Sequence, residues 1–230
     1  QATKASVENL VLLQQGRGEI AFTLGDSLKA AWEGDTEAGF KTKLDKLRTI
    51  GAIYPNYIQI VATAESGIKT LADLKGKRVA FARGSSAHNV AVKALALAGL
   101  GLKDIVPTYL APADATAAFN GGTIDAWVVW DPFYAIAQER YNARIIADTS
   151  DKRLASSSYY LSSRDFADKS PAVLSAALDE IGKLTEWSGQ HREELAKLAA
   201  AATSIDERSW RAAFARASFT FGEVTSAQVA

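Results

Sequence analysis

The chain has 230 residues, with 26 Lys plus Arg balanced by 26 Asp plus Glu, so its net charge at pH 7 is zero. That length allows a large core as one wide domain or two lobes, and a neutral chain without a basic run argues against a nucleic-acid partner. There is no cysteine, which excludes disulfides, thiolate metal sites and a cysteine nucleophile.

In chain order, Ser6 to Gln15 has the pattern of a helix ended by Gly16-Arg17-Gly18. Glu19 to Leu24 is a short strand. Gly25-Asp26-Ser27 is a turn, with Asp26 or Ser27 placed to cap a helix over Leu28 to Trp32. Gly34 to Lys43 is charged and reads as a loop or surface helix; Leu44 to Tyr54 changes from polar to apolar without declaring an element. Tyr54-Pro55-Asn56-Tyr57 leads into Tyr57 to Thr63, an alternating, β-rich strand, and is either hinge or packing.

The central stretch is Val79 to Asn89. Val79 to Ala82 is a buried strand, Gly84-Ser85-Ser86 a small-residue turn, and Ala87 to Ala98 a helix. The helix N-terminus offers unpaired N–H groups and partial positive charge, so an anion can sit there with Ser85 and Ser86 as extra donors. The simpler reading is that one of these serines only caps the helix.

Val106 to Leu110 is the next strand, and Pro112 to Phe119 a helix. Ile124 to Trp130 is a strand stopped by Asp131-Pro132. Trp127 and Trp130, three apart, should face opposite sides of it, with Trp130 the one near a ligand. Phe133 to Arg140 is helical, and Ala143 to Ala147 and Tyr159 to Ser162 are strands. Three helices close the chain: Ala172 to Gln190, Arg192 to Ala202 and Asp206 to Ala217. Alternating strands and helices predict an α/β fold with mostly parallel sheets, the helical tail packing on it. Leu12 to Phe22 also echoes Ala117 to Trp127 as helix, glycine turn, acidic residue and strand, which fits two similar α/β lobes.

Turns at the carboxyl ends of parallel strands line a ligand crevice. Three carry polar groups: Gly25-Asp26-Ser27; Gly84-Ser85-Ser86 with His88 and Asn89; and Trp130-Asp131. The set suits a small organic anion. No Gly-x-Ser-x-Gly elbow, Walker loop or Gly-x-Gly-x-x-Gly is present, and the two histidines, His88 and His191, lack metal-ligand spacing. A Ser86–His88 nucleophile and base is the one catalytic pairing conceivable, and a cap with a surface histidine is the plainer reading. Glu19 and Asp125 read as turn carboxylates that bond backbone N–H groups. No cofactor or metal is expected.

Several stretches resemble known families. Gly84 to Asn89, Tyr109 to Ala115, Asp125 to Phe133 and Tyr159 to Phe166 match, in order, the aliphatic-sulfonate-binding proteins of ABC importers, whose relatives carry nitrate or taurine. That resemblance runs from about residue 75 to the end. Ser6 to Leu10, Gly39-Phe40, Leu47-Arg48 and Ile53 to Val61 resemble the TAXI solute receptors of TRAP transporters, so the chain looks like a mixture of the two. Ile68 to Val79 is common to both groups.

Both families have the type II periplasmic-binding-protein fold. The resemblance implies lobe one over residues 1–76 and 164–230, lobe two over 77–158, and crossovers at 57–63 and 158–163. It also implies that a strand-helix-strand unit preceding Ser6 in these families is missing here, and that the ends are trimmed. The implied protein is a periplasmic, monomeric receptor whose export signal lies outside this sequence. It would hold a small organic anion such as an aliphatic sulfonate in an interlobe cleft and deliver it to the membrane permease of an ABC importer, without catalysis. The alternatives are a TAXI-type receptor that loads a dicarboxylate or amino acid for TRAP membrane subunits, and an enzyme on the same scaffold resembling a pyrimidine-precursor synthase. Ser85 and Ser86 would be the main donors, His88 and Asn89 secondary ones, and Trp130 the cover over an alkyl chain.

Overall fold

A computed structural model describes residues 6–36, 38–53, 57–155 and 157–224. In chain order it runs α1 (Ser6–Gln14), β1 (Ile20–Leu24), α2 (Gly25–Glu33), β2 (Leu47–Ile53), β3 (Ile58–Ala62), β4 (Arg78–Phe81), α3 (Ser86–Leu97), β5 (Val106–Tyr109), α4 (Pro112–Asn120), β6 (Ala126–Trp130), α5 (Phe133–Tyr141), β7 (Arg144–Asp148), β8 (Ser158–Ser163), α6 (Arg164–Lys169), α7 (Pro171–Gln190), α8 (Arg192–Thr203), α9 (Glu207–Arg216) and β9 (Phe221–Gly222). The proposed hinge residues Tyr54, Pro55 and Asn56 lie outside the described residues.

The chain divides into two compact units. The first takes Gln1–Pro55, Ser156–His191 and Ser218–Ala230; the second takes Asn56–Ala155 and Arg192–Ala217. Residues 57–76 and 192–217, assigned from the sequence to lobe one, therefore fold with the second unit. The reason is pairing and packing: β3 hydrogen-bonds to β6 and β7, and α9 packs on α5.

The first unit holds a sheet in the order β1-β8-β2-β9, all of it antiparallel. Its core is formed by Leu10, Leu13, Phe40, Leu47, Tyr159 and Leu161. The sequence left 44–54 without an element, yet 47–53 is a strand. Its alternation is broken by an irregularity between Thr49 and Gly51, where two pairing registers meet. A Cβ at Gly51 would sit 2.5 Å from the Phe221 ring, so only glycine lets that ring pack. The expected turn at Gly25-Asp26-Ser27 is instead the first turn of α2, which starts directly after β1 with Leu24 at its cap position.

The second unit has the order β5-β4-β6-β3-β7. β4 is parallel to β5 and β6, as helical crossovers require, but β3 runs antiparallel between β6 and β7. The second sheet is thus mixed and the first antiparallel, where mostly parallel sheets were expected. β3 and β8 are each the first strand after the chain passes from one unit to the other, and each enters its sheet reversed. Side chains of β6 alternate: Ala126, Val128 and Trp130 belong to one face with Phe81, Ala87 and Val90, while Trp127 and Val129 belong to the other with Phe119 and Tyr134.

Two polar fixtures brace this unit. Asp125, before β6, accepts from the Arg78 backbone N–H at 2.8 Å and from its guanidinium Nε at 3.0 Å and Nη2 at 2.6 Å. The second fixture docks α9 on α5 through charge. Arg216 donates to both oxygens of Asp131 at 2.7 and 3.1 Å and lies 4.6 Å from the Tyr134 ring centre, and Arg140 pairs with Asp206.

The Arg78 bonds hold the Asp125 carboxyl below the ordinary carboxylate range. A lowered folded-state value means that the stabilisation is complete above the unfolded value, about 3.9, and is lost as pH falls through the lowered value. Asp125→Ala should therefore cost about 1–2 kcal/mol at neutral pH, with the deficit closing in strong acid. Urea unfolding of parent and variant at several pH values checks this, and equal midpoints at pH 7 would contradict it.

Candidate anion-binding site

The β4–α3 connection is built from small residues for a geometric reason. Gly84 has φ +70°, a left-handed turn that side chains rarely adopt. It reverses the chain so that Ser85 stands at the cap position of α3. The Ser85 hydroxyl donates to the Ala82 carbonyl at 2.7 Å and accepts from the His88 N–H at 3.4 Å. The Ser85 hydroxyl proton is therefore used in fixing the turn.

Ser86 is different. It is 2 % exposed, and its hydroxyl has no hydrogen-bond partner. As the first residue of a 12-residue helix it stands at the opening turn, where the His88 and Asn89 N–H groups are bonded to Ser85 and the first two N–H groups precede any acceptor of the helix. A buried, unsatisfied hydroxyl costs about 1–3 kcal/mol, so its presence beside a helix N-terminus points to an acceptor that completes it.

His88 supplies a second such atom. Its Nδ1 accepts from the Gly84 N–H at 3.3 Å, which places the ring proton of the neutral form on Nε2. That Nε2 is buried and unpaired. Burial, and next the nearby Arg83 charge, push the imidazole below its usual range, so it is neutral at pH 7. The ring is clamped by stacking on Phe81 at 5.1 Å and by the edge of Tyr109 at 5.9 Å. Ser86 Oγ and His88 Nε2 are not bonded to each other, so the nucleophile–base pairing is not formed.

Trp130 is half-buried and packs against the same core face as Phe81 and Ala87. Parallel pairing of Val79 with Ala126 and Ala80 with Trp127 carries it to the sheet end where the Gly84 turn begins. Asn89 lies in the first turn of α3, its N–H bonded to the Ser85 carbonyl at 3.3 Å. The Asp131 carboxylate is taken by Arg216, and it also accepts from the Ala135 N–H at 3.2 Å. Its geometry is that of a brace.

Gly25, Asp26 and Ser27 belong to the first unit, and the cluster just described to the second. The Gly25 N–H donates to the Ser157 carbonyl at 2.8 Å, and Asp26 Oδ1 accepts from the Ser27 N–H at 2.7 Å. Next to them, Ser158 is fully buried with an unpaired hydroxyl, paired in the sheet with Leu24 and Ile53. In the second unit Gln59 is 5 % exposed with an unpaired Oε1, opposite Val129 and Asp148. Among the described residues the unpaired buried side-chain atoms thus belong to Ser86 and His88 in the first turn of α3, Gln59 near the start of β3 and Ser158 at the start of β8. Sequence reasoning missed Gln59 and Ser158; a Gln inside the apolar run Ile58 to Ala62 was the available signal.

A separate cleft of about 650 Å³ in the first unit is lined by Glu19, Lys46, Arg164 and Asp165 among others, and holds none of the predicted residues. Two carboxylates in its wall are already paired, Asp165 with Lys169 at 2.7 Å and Asp168 with Arg48 at 3.1 Å. Among the described residues no group of three or more His, Asp or Glu could hold a metal, and no helix is long and apolar enough to cross a membrane.

The chain is similar to known solute-binding proteins. An aliphatic sulfonates-binding protein of Escherichia coli is 43 % identical over 137 residues, 59 % of this chain and 43 % of that protein. The match to a Bacillus subtilis protein of the same name covers 45 % of it, so the chain spans less than half of these curated relatives' length. The crystal structure of the periplasmic aliphatic sulphonate binding protein SsuA from Escherichia coli superposes with TM-score 0.80 at 32 % identity, over 97 % of this chain and 70 % of that one. The alkanesulfonate-binding protein SsuA from Xanthomonas axonopodis pv. citri, bound to MOPS, gives TM-score 0.81 at 29 % identity, over 99 % of this chain and 76 % of that one. These neighbours have the periplasmic-binding-protein fold. The profile of the NMT1-like family matches residues 1–147 without a break at residue 75, and the chain belongs to the NMT1-like family.

Proposed function

We propose that the protein is the solute receptor of an ABC importer and that it captures a small organic sulfonate. The observation that carries this is the pair of buried, unpaired donors, Ser86 Oγ and His88 Nε2, beside the N-terminus of α3. A sulfonate has three acceptor oxygens and a charge that does not titrate near neutral pH. Hydroxyl, imidazole N–H and helix N–H groups satisfy several of those oxygens at once, and the helix dipole favours the charge. His88, being neutral, acts as a donor and leaves the charge to the dipoles.

The related proteins named for sulfonate binding support the same ligand class. In this reading Trp130 covers the organic body, and Asn89 and Gly84 shape the turn. In this reading the protein binds without a covalent step, and relatives named for binding support it. The working place is the periplasm, the partner is the membrane permease, and the protein acts as a monomer.

The two serines separate in this account. Ser86→Ala should weaken propanesulfonate binding by about 1.5–3 kcal/mol and raise the stability of the unliganded protein, because it removes a buried hydroxyl that has no partner. Ser85→Ala should lower stability by about 1 kcal/mol, the loss of a cap. Titration calorimetry and thermal unfolding on both variants test this. Full affinity in Ser86→Ala would remove the α3 site.

Trp130 gives an independent check. Affinity should rise from methane- to butanesulfonate as each methylene buries apolar surface, by up to about 0.8 kcal/mol per CH₂. Trp130→Ala should flatten that series. A flat series in the parent would contradict the covering role.

A further inference from the structure

The positive charge at the site exceeds what a simple alkanesulfonate needs. Arg83 immediately precedes the Gly84 turn and is exposed. Its guanidinium carbon lies 4.8 Å from the centre of the Tyr109 ring, a cation–π position. Tyr109 is 40 % exposed and touches both Phe81, at 5.3 Å edge to face, and His88. Arg83 therefore belongs to the same aromatic cluster that clamps the imidazole. Among the described residues no carboxylate lies within 4.0 Å of it. The site's own acid, Asp131, is held by Arg216 instead.

The other arginines of the second unit are mostly engaged with carboxylates: Arg78 with Asp125, Arg140 with Asp206, Arg153 with Asp151 and Arg216 with Asp131. Arg83 stands apart from that pattern while being fixed on an aromatic platform. A planar guanidinium held on a ring is already oriented, so less freedom is lost when it forms a fork with a carboxylate. The dipoles and neutral donors at Ser86 and His88 serve one anionic group without it.

We infer that Arg83 on Tyr109 forms a second anionic subsite, and that the preferred ligand is a sulfonate carrying a further acidic group on a short chain. This rests on the sulfonate reading of the Ser86–His88 site and narrows it. One end of the ligand occupies the helix N-terminus, and its distal carboxylate meets the guanidinium outside the turn. Tyr109 positions Arg83 and contacts no ligand atom itself.

The test compares propanesulfonate with 3-sulfopropanoate and sulfoacetate by titration calorimetry at fixed ionic strength, in the parent and in Arg83→Gln. The parent should bind one or both sulfocarboxylates about 5- to 10-fold more tightly than propanesulfonate, the scale of one charge-assisted fork that is partly exposed. In Arg83→Gln that ratio should fall to near one, and in Tyr109→Leu it should fall part of the way. Circular dichroism verifies that the variants are folded, which their exposed positions favour. A parent ratio of one or less, or a preference that survives Arg83→Gln, overturns the second subsite while leaving the first intact. Absence of binding for all three compounds overturns the sulfonate reading itself, and the second subsite with it.

Discussion

Everything proposed for this protein depends on how Ser85 closes the turn between β4 and α3. Its hydroxyl bonds backward to the Ala82 carbonyl and forward from the His88 N–H, so one side chain satisfies the loop on both sides of Gly84. That fixes the start of the helix. It then leaves Ser86, one residue on, facing a buried position with nothing to bond. The His88 ring is set by the same turn, because the Gly84 N–H takes its Nδ1. The proposed anion site is the by-product of a well-formed cap: the cap uses one serine and one ring nitrogen, and leaves the other serine and the other nitrogen buried without a partner.

The rest of the second unit holds that turn in place. Asp125 ties the entry of β6 to the entry of β4, so the two strands that end at the site are anchored at their far ends. Arg216 occupies Asp131 and keeps a carboxylate charge from the anion. Hydrophobic burial supplies the bulk of the stability, with Phe81, Ala87 and Val90 beneath the turn. The polar pairs decide where the charge goes.

Much of this was legible from the residues. The β6 alternation is strong enough to place Trp127 in the core and Trp130 on the other face. The strand, glycine and helix of Val79 to Leu97 can be read directly, because Gly84 and the serines leave few other options. β2 was not legible, since the irregularity at Gly51 destroys its period and the compensating Phe221 lies far along the chain. Strand direction was misjudged for the same kind of reason: β3 and β8 look like any other apolar strands, and only their partners show that they run reversed. At the site, Ser85 and Ser86 are indistinguishable as letters. What separates them is whether a carbonyl three residues back is within reach. The role of Asp131 depends on Arg216, 85 residues away.

The central claim is that His88 is a neutral, preorganised donor waiting for an anion. The chain has only two histidines, so long-range proton–nitrogen NMR of the imidazoles gives two ring patterns. His191, whose ring stacks on Trp187 and lies in the first unit, serves as the internal control. The account predicts a His88 ring protonated on Nε2 alone at pH 7, with an Nε2 resonance that shifts on saturation with propanesulfonate while His191 stays in place. A doubly protonated His88 at pH 7, or an Nε2 resonance unmoved by saturating sulfonate, would contradict it.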